Sequence, residues 1–385
     1  MKYNFGRVID RRNTYSIKYN PVARGKPADV LPLWVADMDF PIPPCVAEAL
    51  EERVRHGIFG YSEPDAEYFS AVQGWFEKRF GWQIENEWLT VTPGVVNAIY
   101  VAVRSLTEPG EGIVIQQPVY YPFETSVVQT GRKLLVNELV YKDGTYSIDF
   151  EDFENKAKQA KLFILCNPHN PGGRVWTSDE LMRMGEICLK YNVTIVSDEI
   201  HQDFVYPDYR HLVFAGLDPR FANITITCTS PSKTFNLAGL LHANIFISNK
   251  VLRDKFKREY ASCGLSQPGV MGLVSCQAAY ESGAEWVDEL IEYLKCNMLF
   301  LQKSLQTRIP KIKFTLPEAT YLAWLDCSEL GLSVSELNNL ITHKAKLWLN
   351  DGTSFGAGGK GFLRLNVACP RTMLEEAMER LEGAL

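Results

Sequence analysis

Five short runs recur along the middle of the chain, each apolar or β-branched almost throughout: Trp88 to Thr92, Gly112 to Gln116, Leu162 to Cys166, Val193 to Ser197 and Asn223 to Cys228. Strands covered on both faces read this way, because neither alternating set of side chains meets water. Helical periodicity fills the intervals, over Val95 to Leu106 and Ser178 to Tyr191. The second helix opens on Thr177-Ser178-Asp179-Glu180, a capping box in which hydroxyl and carboxylate satisfy each other's backbone amides. Strands alternating with helices predict an α/β fold, a doubly wound and mostly parallel sheet.

Beyond about residue 285 the pattern changes. A long helical stretch, Ala284 to Thr307, leads to short strand-like runs at Phe314 to Leu316, Tyr321 to Leu325 and Phe362 to Val367. An amphipathic helix over Thr372 to Leu385 follows. This predicts a large α/β domain over 46–284 and a smaller α+β domain over 285–385, which the N-terminal segment 1–45 joins. A chain of 385 residues buries a large core without staples, about three quarters of its unfolded surface by size scaling.

Composition removes several function classes. Forty Lys and Arg against 46 Asp and Glu leave a net charge of −6, which argues against nucleic acid as a partner. The apolar runs are strand-sized, far from the ~18 residues of a membrane span. Residues 1–20 are polar and lack a signal-peptide core, so the expected location is the cytoplasm. The nine cysteines include no C-x-x-C pair, so buried free thiols in a reducing compartment are expected rather than zinc or disulfides. Asp198, Glu199, His201 and Asp203 have metal-ligand chemistry, but neighbours on an extended chain face opposite ways and no second His cluster completes a site; no metal is expected. Gly356 to Gly361 reads G-x-G-x-x-G but precedes a strand-like run instead of joining a strand to a helix, so it is no dinucleotide fingerprint.

In open α/β sheets ligands bind beyond the carboxyl ends of the strands. After the five runs come, in order, Pro93-Gly94-Val95-Val96, Pro118-Val119-Tyr120-Tyr121, Asn167 to Gly173, Asp198-Glu199-Ile200-His201 and Ser230-Pro231-Ser232-Lys233. If the strands are parallel, one rim gathers a helix N-terminus, an aromatic ring, an amide, a carboxylate and a lysine. A helix N-terminus with hydroxyls suits a phosphate. A carboxylate beside a pyridine nitrogen keeps it protonated, and a desolvated lysine can bond an aldehyde. Together these describe a pyridoxal 5'-phosphate site. Taken singly each has a plainer reading: Gly94 as a turn, Tyr120 as core, the Asn167 loop as rigid connector, Asp198 as a cap, Lys233 as a surface charge.

The order of these motifs resembles the fold-type I pyridoxal phosphate enzymes of the class I/II aminotransferase superfamily, and within it the cystathionine β-lyase and cystalysin group of cysteine-S-conjugate β-lyases. The likeness runs nearly end to end, through Leu33 to Phe40, Gly60-Tyr61, Pro118 to Phe123, Asn167 to Gly173, Ser197 to His201, Ser230 to Asn236 and Arg364-Leu365-Asn366. It implies that Lys233 binds the cofactor covalently, that Asp198 partners the ring nitrogen and that Asn170 bonds the phenolic oxygen. Tyr120 then stacks on the ring, and Gly94, Val95, Val96, Ser230 and Ser232 hold the phosphate. Arg364 clamps the substrate carboxylate, and Tyr61 reaches into a neighbouring subunit's site, implying a homodimer with shared active sites. His201 takes the place of a tyrosine near the phenolic oxygen, and Leu241 that of a phosphate-binding arginine; both substitutions resemble the lyases rather than the aminotransferases. Tyr15, Trp34, Ala36 and Gly356 to Gly361 are the expected substrate-pocket walls.

The expected reaction is β-elimination from an L-amino acid with sulfur on its β-carbon, such as cystathionine or cysteine, giving thiol, pyruvate and ammonia. Lys233 is the general base for the α-proton. Two alternatives stay open: an aminotransferase using the same cofactor, and a regulatory protein that keeps the cofactor site but acts by docking a partner.

Overall fold

The five predicted strands lie in one sheet, and two further strands complete it. A computed structural model describes residues 2–385. The strands in chain order are β1 (Leu89–Thr92), β2 (Gly112–Gln117), β3 (Lys133–Glu138), β4 (Ala160–Cys166), β5 (Thr194–Asp198), β6 (Thr225–Thr229) and β7 (Ala243–Phe246). Across the sheet the order is β1-β7-β6-β5-β4-β2-β3, with β7 antiparallel to both neighbours and the remaining pairs parallel. The chain runs outward from β2 to β3, then returns to β4 on the other side of β2. The strand order reverses there, so the crevice beyond the carboxyl ends of β2 and β4 is where this topology places a ligand.

Both faces of the sheet are covered, as the even apolarity of the strands requires. Ile113, Ile115, Leu162 and Ile164 pack on one side with α1 (Val95–Leu106), while Val114, Phe163 and Leu165 pack on the other with α2 (Ser178–Tyr191). The Thr177–Glu180 capping box forms in full at the start of α2.

The C-terminal part holds α3 (Ala284–Arg308), a small antiparallel sheet and α4 (Arg371–Ala384). That sheet has the order β8 (Leu322–Asp326), β10 (Phe362–Asn366), β9 (Asn350–Asp351). Of the expected run Phe314 to Leu316 no strand forms; Lys313 alone bridges Asp326. The N-terminal segment joins this part, with Leu31–Pro32 parallel to Leu347–Trp348 and the Asn366 amide donating to the Leu33 carbonyl. A third core mixes Phe5, Leu33 and Phe40 with Trp286, Leu365 and Met378, and it extends to Val72 and Trp75 before the sheet. Among the described residues no helix is long and apolar enough to cross a membrane.

Candidate active site

At the crevice the carboxyl ends of the parallel strands open into a cleft of about 500 Å³. Gly94, Val95 and Val96 line it, as do Tyr120, Asn170, Asp198, His201, Ser232, Lys233 and Arg364. A larger hollow of about 640 Å³, by the end of α3, is lined by Arg308, Leu332 and Lys344 and contains none of the rim clusters.

Asp198 ends β5, between Cys166 and Cys228 in register. Its carboxylate accepts the Ile200 amide at 3.1 Å and forms no ion pair. Burial therefore pushes the carboxyl up to about 7, against the opposing pull of the Ile200 amide and Lys233. Its sequence neighbours diverge: Glu199 turns to His211 at 2.8 Å, and Asp203 accepts from Thr234 at 2.7 Å. They do not converge on a metal.

Lys233 sits in the short helix Pro231–Thr234, and its Nζ donates to the Ala36 carbonyl at 2.7 Å. Desolvation lowers its ammonium to about 8; Asp37 and Asp198 pull the other way, and Arg364 adds to the lowering. Arg364 comes from β10 and is buried. It donates to Asn170 Oδ1 at 3.1 Å, the Trp34 carbonyl at 3.1 Å and Asn350 Oδ1 at 2.7 Å, with its guanidinium 4.8 Å from the centre of the Phe355 ring. All three partners are neutral, Nε has none, and burial lowers the guanidinium to about 10. A buried cation of this kind calls for an anion.

Because the Asn170 oxygen is taken by Arg364, the amide NH2 is its remaining donor. His201 is buried with Nδ1 unpartnered, and burial lowers it to about 3, so the ring is neutral; Lys233 and Arg364 act in the same direction. Burial also raises the Tyr120 phenol to about 12, which keeps it protonated. At the start of α1 no side chain caps the helix, and a Cβ built on Gly94 would meet nothing within 4 Å. The first amides of α1 thus face open space with the partial positive charge of a helix N-terminus.

Three expected residues and one expected loop lie elsewhere or are otherwise engaged. Ser230 caps the Pro231–Thr234 helix, accepting the Ser232 amide at 3.0 Å, donating to the His242 carbonyl at 2.6 Å and lying 2.8 Å from the Ser232 hydroxyl; it does not line the cleft, whereas Ser232 does. Tyr15 stands in solvent at φ 60°, away from the cleft of its own chain. Tyr61 is 97% exposed and likewise outside it. The Gly356 to Gly361 loop is not a wall, because Gly356 packs on the Gln117 side chain at the end of β2. Trp34 and Ala36 do line the cleft. Sequence reasoning missed Asn350, which carries no motif and reaches Arg364 only through β9–β10 pairing.

The carbonyls of the segment Trp34 to Phe40 are held almost entirely by side chains. Arg364 takes that of Trp34, Asn366 those of Val35 and Asp37, Asn236 those of Met38 and Phe40, and Lys233 that of Ala36. Lys18, fully buried, pairs with Asp39 at 2.7 Å, and Arg11 bridges Asp37 and Asp39 at 2.7 and 2.8 Å.

This fold and rim define a class. The chain belongs to the aminotransferase class I and II family, whose model matches residues 28–381. It is 45% identical to cystathionine beta-lyase PatB of Bacillus subtilis, covering 99% of this chain and all of that one. It is 34% identical to protein MalY of Escherichia coli, over 100% of this chain and 99% of that one. Its fold superposes on cystalysin from Treponema denticola, a crystal structure containing pyridoxal 5'-phosphate, with a TM-score of 0.97 at 38% identity, covering 100% of this chain and 99% of that one.

Proposed function

We propose that this chain is a pyridoxal phosphate-dependent carbon–sulfur β-lyase that converts L-amino acids bearing sulfur on the β-carbon to thiol, pyruvate and ammonia. One observation carries the reading: a single cleft holds a buried arginine without an anion, a buried carboxylate without a cation and an uncapped helix N-terminus. Those three unmatched charges complement a substrate carboxylate, a protonated pyridine nitrogen and a phosphate. The residues fit the cofactor. The amides of Val95 and Val96, beside Gly94, and the Ser232 hydroxyl would hold the phosphate, and Asp198 would hold the ring nitrogen. Tyr120 would stack on the ring, Asn170 and His201 would hydrogen-bond its phenolic oxygen, and Lys233 would be the point of covalent attachment.

When bound, the cofactor supplies an electron-poor ring that accepts the charge left on Cα after the α-proton departs. The protein's part is positional and acid–base. Arg364 orients the substrate by its carboxylate, with Asn350 and Trp34 fixing the guanidinium plane. Lys233 would serve as the general base for the substrate α-proton; its pKa, lowered to about 8 by burial, supplies neutral amine near physiological pH. Leu241 lines the cleft, so no cation stands at that position. We take 46–284 as the cofactor-holding domain, and 285–385 with 1–45 as the domain carrying the carboxylate clamp. Tyr61, outside its own cleft, serves the site of a second copy in a homodimer.

Holoenzyme given L-cystathionine or S-substituted cysteines should release pyruvate and thiol in equal amounts. Cofactor-loaded protein that releases neither would overturn the reading, as would conversion of the cofactor to its amine form as the main outcome. Lys233→Ala should abolish both release and borohydride-trappable cofactor.

A further inference from the structure

Lys233 makes one hydrogen bond, and a buried tyrosine shares its acceptor. Tyr321 precedes β8 and is fully buried; its hydroxyl donates to the Ala36 carbonyl at 3.1 Å, the oxygen that Lys233 Nζ reaches at 2.7 Å. The chain arrives there through Thr320 at φ 73°, a left-handed conformation that a β-branched residue rarely adopts. Three bonds hold that turn. The Thr320 amide donates to the Phe204 carbonyl at 2.7 Å, its carbonyl accepts the Tyr206 hydroxyl at 2.9 Å, and its Oγ1 accepts the Leu322 amide at 3.2 Å. Phe204 and His201 then hold the Tyr321 ring edge-on, at 4.9 and 6.0 Å between ring centres. Strain, packing and hydrogen bonding all aim this hydroxyl at the lysine's resting place. Tyr321 does not line the cleft, so it acts through Ala36.

We propose that Tyr321 is a positioning residue for Lys233: by pinning the Ala36 carbonyl, it fixes the point at which the free lysine amine rests between covalent attachment and proton transfer. The inference builds on the role given to Lys233 above. A lysine amine swings on a flexible four-carbon stem, and an error of about 1 Å in placing a reacting group costs up to about 100-fold in rate. A carbonyl held by a second donor confines that swing.

Tyr321→Phe keeps the ring between Phe204 and His201 and removes only the hydroxyl. Two measurements test it. In apo-protein mixed with saturating pyridoxal phosphate and quenched with borohydride, the rate of covalent capture at position 233 should fall at least about fivefold, with cofactor affinity within about twofold. In holoenzyme, kcat should fall by a similar factor at unchanged KM, and the isotope effect of an α-deuterated substrate should rise. Capture and kcat at wild-type values would overturn the inference alone, as would changes confined to KM or cofactor affinity. Wild-type protein that captures nothing at 233 would overturn the role of Lys233 and this inference with it.

Discussion

Asp198 illustrates how a site residue works against the fold that holds it. Burial raises its carboxyl to about 7 in the protein without cofactor, against about 3.9 in an unfolded chain. The folded state therefore holds an extra proton between about pH 4 and 7, and stability falls as pH rises through that window. Above it the buried carboxylate is ionised without an ion-pair partner. Asp198→Asn should stabilise the apo-protein by about 2–4 kcal/mol at pH 8, with the gain vanishing below about pH 4. Thermal melts across pH check this; a gain independent of pH would show that the carboxylate is not strained. With pyridoxal phosphate bound the order should invert, because only the carboxylate matches a protonated ring. Arg364 poses the same problem with opposite sign. Arg364→Lys should raise KM at least about tenfold with little loss of fold, since an ammonium cannot match a carboxylate at two points; an unchanged KM would remove Arg364 from substrate binding.

Among elements, the turn from β6 into the Pro231–Thr234 helix separates two serines that look alike in sequence. Ser230 spends its hydroxyl on the cap, the His242 carbonyl and a 2.8 Å contact with the Ser232 hydroxyl, while Ser232 meets the cleft. Ser232→Ala should weaken cofactor binding about tenfold with little change in melting temperature, and Ser230→Ala should lower stability by about 1 kcal/mol. Equilibrium binding and denaturation separate the two; equal effects on affinity would return Ser230 to the phosphate. Sequence could not make that distinction, because which hydroxyl is consumed depends on the His242 carbonyl just before β7, a strand whose four residues give no periodic signal and include the buried polar Asn244. β3 was also unread: it is an edge strand with both ends exposed, so its apolar core is only partly continuous. The helices α1 and α2 and the ends of β1, β2, β4, β5 and β6 were legible because burial on both faces and the capping box leave local marks. Arg364 and Asn170 were visible as residues, but not their contact, since that joins positions 194 apart. Tyr321 shows in the sequence only as the start of a strand-like run, with nothing to mark its hydroxyl; a left-handed threonine cannot be read from its letter.

For the molecule as a whole, the N-terminal segment laces the C-terminal part to the lysine, and the remaining question is what the exposed aromatic residues face. Tyr15 and Tyr61 are fully exposed, and Ile58 and Phe59 beside Tyr61 are more than half exposed. If Tyr61 completes the site of a partner, each active centre draws its lysine and its tyrosine from different chains. Tyr61→Ala and Lys233→Ala homodimers should then each be inactive or nearly so. Unfolded together in equal amounts and reassembled, half the dimers are mixed, and each mixed dimer regains one intact site of two. Activity should return to about one quarter of wild type, as expected for a two-fold dimer with random pairing. If Tyr61 instead served its own chain, every site in the mixed dimer would lack one group, and no activity would return. Sedimentation of the same mixture checks that the chains have paired, so an inactive but dimeric mixture decides against the shared site.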